Sequence, residues 1–213
     1  MSRNEQLNEL FGRWKAALGD GGNYFTPDGI IDEVEFDKQN QRVLFLGKEA
    51  NDLNGGGWDF RVEWAKDPSW RHARQVKKWA AGILDDFPPF EEITASKVNH
   101  LRRVACMNVK KIPGGASSLV ADVERDVRLH SSFIREQVSI IDPDVIIGGL
   151  SWWHLWPLII GMEPDRKLCE NLWVFRWGRA KVIDFHHPSS RFPHAMLYAH
   201  LSRVISSPTF KAL

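Results

Sequence analysis

Three short motifs carry the side chains best suited to chemistry, and each falls where a hydrophobic run ends: Gly47-Lys48-Glu49-Ala50-Asn51, Met107-Asn108-Val109-Lys110-Lys111 and His186-His187-Pro188-Ser189-Ser190-Arg191. A carboxylate can move a proton or favour a cation, an amide can read a pair of hydrogen-bonding groups, and an imidazole can donate to a departing oxygen. In an open α/β sheet the carboxyl ends of parallel strands face one crevice, so groups far apart in sequence can converge on one ligand. The pattern is that of an active site. His186 beside His187 does not read as a metal pair, because adjacent residues of a strand point to opposite faces.

The elements that must position these motifs follow from periodicity. Val43-Leu44-Phe45-Leu46, stopped by Gly47, is a continuous apolar run of the kind expected for a buried parallel strand. Val104–Asn108 and Val145-Ile146-Ile147, the latter closed by Gly148-Gly149, read as two more strands. Leu172–Phe175 and Lys181–Phe185 flank Trp177-Gly178-Arg179 as a candidate hairpin. Helical spacing of apolar residues covers Asn4–Leu18, Trp70–Leu84, Asp122–Ile141 and about His194–Ile205, with Asp142-Pro143 stopping the third. Strands alternating with helices predict a three-layer α/β/α sandwich with a mainly parallel central sheet of about four strands.

Composition sets the outer bounds. The 213 residues, 43% of them hydrophobic, suffice for a single domain spanning 1–213. No apolar run reaches the roughly 18 residues of a membrane span, and Met1-Ser2-Arg3-Asn4-Glu5 lacks the layout of a secretory signal, so a cytoplasmic location without membrane association is expected. Two cysteines, Cys106 and Cys169, are too few for a four-thiolate metal or iron–sulfur site. A net charge of +1 gives no global pull toward nucleic acid, so any such contact rests on local clusters: Arg71, Arg74, Lys77 and Lys78; Lys110 and Lys111; Arg176, Arg179 and Lys181. Each cluster reads equally as a solvated face. Several of the ten tryptophans, including Trp14, Trp79 and Trp173, sit at core-like positions and are expected to pack. Gly55-Gly56-Gly57 lacks the Lys-Ser/Thr of a phosphate loop and reads as a mobile turn beside the site.

Taken together, the motifs resemble those of the uracil-DNA glycosylase superfamily along roughly Val43 to Ile205. Gly47-Lys48-Glu49-Ala50-Asn51 is similar to the family's first motif, Gly-x-Asp/Asn-Pro or Gly-Glu-Ala-Pro-Gly, with Glu49 at the usual Asp or Asn and Ala50 replacing the proline. Met107-Asn108-Val109-Lys110 resembles its Asn-containing strand end, Pro143-Asp144-Val145-Ile146-Ile147-Gly148-Gly149 its Pro-x-x-Ile-Ile-x-x-Gly strand, and His187-Pro188-Ser189 its His-Pro-Ser motif. With two cysteines the chain resembles the metal-free branches, so no cofactor is implied.

The resemblance implies hydrolysis of the bond between deoxyribose and a flipped deaminated base, with uracil the expected base and DNA the partner of a monomeric, monofunctional enzyme. That reaction develops positive charge on the sugar and negative charge on the base. Glu49 would orient or deprotonate the water and favour the cationic sugar, and His187 would donate to the base's O2. The Asn108 amide would match the N3 hydrogen and O4, next to Gly47, with Phe60 or, second, Trp58 stacking on the base. Lys110, Lys111, Ser189, Ser190, Arg191 and Phe192 would contact DNA, the last two as phosphate partner and apolar wedge. Bland readings stand beside these: a surface carboxylate for Glu49, a turn-forming imidazole for His187, core packing for Phe60 and Phe192. Two alternatives also remain, a member that binds nucleic acid or a nucleobase without catalysis, and an unrelated small-molecule hydrolase.

Overall fold

The apolar runs are buried because they form the middle of one sheet. The computed structural model describes residues 1–52 and 55–213. Among the described residues, seven strands, β1 (Gly29–Ile30), β2 (Val43–Gly47), β3 (Ala105–Asn108), β4 (Val145–Gly148), β5 (Lys167–Cys169), β6 (Leu172–Trp177) and β7 (Ala180–Asp184), lie in the order β1-β3-β2-β4-β7-β6-β5. The four central strands, β3, β2, β4 and β7, are mutually parallel. The expected count of about four therefore describes the parallel centre alone. Antiparallel β1 joins one side, and the β7-β6-β5 meander extends the other. β1 and β5, at two and three residues, are too short to carry a periodic signal. The expected hairpin forms, Trp177 pairing with Ala180 around a two-residue turn in which Gly178 takes φ 57°.

Period two sends successive side chains of each strand to opposite faces. Val43, Phe45, Val145 and Ile147 join one core; Leu44, Leu46, Ile146 and Val182 join the other. The first core is covered by α3 (Phe60–Ala65), α4 (Arg71–Leu84), α5 (Phe90–Ala95) and α8 (His194–Ser206). The second is covered by α1 (Arg3–Ala17), α6 (Val120–Ile141) and α7 (Leu155–Ile160). Short helices α2 (Glu33–Asp37) and α9 (Pro208–Lys211) complete the layers. Trp79 on α4 and Trp14 on α1 are fully buried, one in each core, and each large apolar side chain removed from water contributes about 1.5–3 kcal/mol.

Local chemistry sets the ends. Ser2 and Glu5 form a reciprocal capping box at the start of α1. α6 stops at Asp142, whose left-handed backbone (φ 49°) still donates its N–H to the Val138 carbonyl at 2.9 Å before Pro143 turns the chain into β4. Arg42 clamps that entry through Asp142 and Asp144. No helix among the described residues is long and apolar enough to cross a membrane.

Candidate active site

At the carboxyl ends of β2, β3 and β4 the sheet opens into a pocket enclosing about 340 Å³ including its mouth. Phe45, Leu46, Cys106, Met107, Ile147 and the Trp79 indole give it apolar walls; Gly47, Asn108 and Gly149 stand at the strand ends. Phe60 of α3, His72 of α4 and Pro188 close the remaining sides. Its enclosed interior is narrow, with room for one or two waters. A planar base therefore enters only if the walls part.

Three expected site residues converge here. Gly47 and Asn108 are register partners of β2 and β3, and a Cβ on Gly47 would stand 2.6 Å from Asn108 Oδ1. The glycine is thus what lets the amide lie across the strand end. The Asn108 backbone N–H donates to Asp28 Oδ2 at 2.7 Å, and Asp28 Oδ1 accepts from Lys111 Nζ and from Gln137 Nε2. Phe60 lines the pocket while Trp58 stacks behind it, ring centroids 5.3 Å apart and planes inclined by 22°. Trp58 itself does not line the pocket.

Lys111, expected to contact DNA, is instead buried in the ion pair with Asp28 beneath Phe11 and Trp14, and burial pushes its ammonium pKa down against the pull of Asp28. Lys110 is also committed internally, to the Glu49 carboxylate. The pairing of β2 and β3 continues past the strands, Lys110 N–H donating to Lys48 O at 2.9 Å and Gly114 N–H to Ala50 O at 2.9 Å. This seats Glu49 against Gly114, where a Cβ would fall 2.3 Å from the Glu49 Cδ. The Glu49 side chain is only 5% exposed, so it is no surface carboxylate, and it lies outside the pocket lining, in an ion pair. Nearby Asp126 has its carboxyl pKa raised by burial, with Lys110 opposing.

His187 directly precedes pocket-lining Pro188. Its Nδ1 accepts the Ser189 N–H at 3.1 Å, so the neutral ring carries its proton on Nε2. Its edge meets the His72 ring, centroids 5.6 Å apart. Burial, and then the charge of Lys48, lowers the His187 pKa to about 4. Burial, and then His187, lowers that of His72 to about 3. Both imidazoles are neutral at pH 7. Lys48 lies over the Trp152 ring at 4.6 Å, its own pKa lowered by burial against Glu49. His72 and Lys48 were not singled out from sequence: His72 sits in a run of basic residues that reads as a solvated helix face, and only its helical offset from buried Val76 and Trp79 hinted otherwise.

The segment after His187 divides. Ser189 and Arg191 are exposed, and Phe192, at 47% exposure, meets His186 edge-on at 5.2 Å instead of anchoring in the core. Ser190 turns inward, its hydroxyl buried and its carbonyl accepting from Arg71 Nη2 at 2.6 Å. Of the remaining basic residues, Lys77 pairs with Asp67, while Arg176 and Lys181 bond the carbonyls of the C-terminal residues. Trp14 and Trp79 are core residues as expected, but Trp173 is 41% exposed. The glycine turn lies against Tyr24, whose carbonyl oxygen would be 2.0 Å from a Cβ on Gly56. Among the described residues no three His, Cys, Asp or Glu side chains gather as a metal site. A scan against protein-family models finds no match, and a search of curated proteins finds none either.

Proposed function

We propose that the chain is a DNA glycosylase-like enzyme that takes a flipped deaminated base, uracil in the first instance, into the pocket at the strand ends and hydrolyses its N-glycosidic bond. The observation that carries this reading is the convergence of Asn108, Phe60, Gly47 and Pro188, from four separate segments, on one largely apolar pocket. The Asn108 amide, held by Gly47 on one side and by its Asp28-anchored backbone on the other, supplies an acceptor for N3–H and a donor for O4. Phe60 backed by Trp58 offers the stacking face that a base loses on leaving the helix. His187, neutral with its proton on Nε2, can donate to O2 as negative charge grows there. Glu49 would orient the attacking water once released from Lys110.

That last requirement favours a second reading. The Glu49 carboxylate is engaged by Lys110 and wedged against Gly114, an arrangement that suits a nucleobase- or nucleic-acid-binding protein without hydrolysis. Incubating the protein with uracil-containing oligonucleotides and cleaving abasic sites with alkali separates the two. Alkali-sensitive sites at uracil support the enzyme; a retarded but uncleaved oligonucleotide supports the binder; neither product nor retardation overturns both.

A further inference from the structure

A second concave feature lies on the same edge of the sheet as the pocket. Trp173 is the register partner of Asp184, the last residue of β7, just before His186 and His187. Trp153 follows the end of β4 in the turn that leads into α7. Both indoles therefore sit at the carboxyl end of the parallel strands. They are 55% (Trp153) and 41% (Trp173) exposed, and with Pro164, Asp165 and Arg166 they line an open groove of about 820 Å³. The Arg166 guanidinium stands 5.0 Å from the Trp153 ring centroid and 5.7 Å from that of Trp173. A cation so placed holds both rings in position and leaves its in-plane N–H groups for an acceptor.

Two indoles left in water at the edge of a groove call for a ligand with flat faces. The acidic neighbours refine its identity. Glu163 approaches Arg166 at 3.7 Å from an exposed position, Asp165 lines the groove, and the charge of Arg166 reaches the Asp184 carboxyl. A polyanion held by charge alone is disfavoured; one held by stacking, with a single phosphate at Arg166, fits. We infer that Trp153 and Trp173 form a base-stacking subsite for single-stranded nucleic acid, continuous with the strand whose base enters the pocket. This rests on the nucleic-acid reading of the pocket and extends it along the sheet edge from β4 and β7 toward β6.

The test is fluorescence anisotropy of a labelled, thymidine-rich single-stranded oligonucleotide carrying one uracil, with base release followed in parallel. Trp153→Ala and Trp173→Ala should each weaken binding by roughly 5- to 150-fold, the range for losing one base–aromatic stack, with melting temperatures near wild type because both rings are exposed. Arg166→Ala should flatten the slope of log affinity against log salt by about 0.7, the share of one phosphate on a single strand. Trp-dependent binding with no abasic sites would uphold the subsite and sink the glycosylase reading. Base release with an affinity indifferent to both tryptophans would do the reverse, leaving the pair to a protein partner. Absence of any oligonucleotide binding by the wild-type protein overturns the subsite.

Discussion

Replacing Gly47 with alanine isolates the role of one amide from the stability of the fold. Gly47 is not among the residues with positive φ, so alanine meets no backbone penalty, and a Gly→Ala change in such a strand conformation stabilises by about 0.4–1 kcal/mol through the unfolded chain. The added Cβ would stand 2.6 Å from Asn108 Oδ1 and 3.7 Å from its Cγ, so only the end of a side chain must move. Driving that amide off its rotamer costs about 0.5–1.5 kcal/mol, which roughly cancels the gain. The melting temperature should therefore stay within about 4 °C of wild type. Function should not. An Asn108 amide turned away from the pocket forfeits two hydrogen bonds to the base, each worth about 0.5–1.5 kcal/mol net, or together about 5- to 150-fold in efficiency. Single-turnover release of uracil from an oligonucleotide, as rate over apparent Kd, reads this directly. Wild-type efficiency in Gly47→Ala would refute the amide's role, and a collapse in melting temperature would refute the steric argument.

Other outcomes follow from the same geometry. Glu49→Gln should lower the single-turnover rate by about 10²–10⁴, as for a lost general base, with oligonucleotide affinity near wild type; a drop in thermal stability with an unchanged rate would mark the carboxylate as Lys110's structural partner only. The His187 pKa lies near 4 against an ordinary 6.5, so the unfolded chain binds the proton first. Its contribution to stability is complete above about pH 6.5 and is lost as pH falls toward about 4. Melting temperature against pH should decline more shallowly in His187→Gln than in wild type over that window, and identical slopes would contradict the burial of the ring. Arg191→Ala, at an exposed position, should reduce excision from duplex more than from single-stranded uracil DNA; equal losses on both would remove the wedge assignment.

The fold was legible where long, regular patterns meet one competing force. Val43–Gly47 and Val145–Gly148 are unbroken apolar runs because both faces of the parallel centre are covered, and the long helices show their buried stripes at helical spacing. Gly29–Ile30 and Lys167–Cys169 were not legible, since their pairing with Ala105–Cys106 and with Leu172–Val174 is fixed by neighbours rather than by their own composition. In the site, Gly47, Asn108 and Phe60 were readable as strand-end or post-strand residues. Lys111 was not: a Lys-Lys pair looks solvated until Asp28, far back in the chain, is placed beneath it. Trp173 misled for the opposite reason, because alternation along β6 assigns sides of a sheet but cannot say which side a neighbouring helix leaves uncovered.

The strand order also governs how the chain can assemble as it is made. β2 is synthesised well before β3 and β4, the two strands between which it ends. At translation speeds of about 5–20 residues per second, the interval before β3 can pair with it is on the order of seconds. During that time Val43-Leu44-Phe45-Leu46 has two open edges and two apolar faces, the combination most prone to pairing with another chain. α1, which precedes it, covers one of those faces together with α6, and α4, made between β2 and β3, covers the other, its Trp79 ring stacking on Phe45. The two helices thus stand guard over a strand whose proper neighbours have yet to emerge, α1 earlier than α4, and the loss of α1 would fall on the yield of newly made protein.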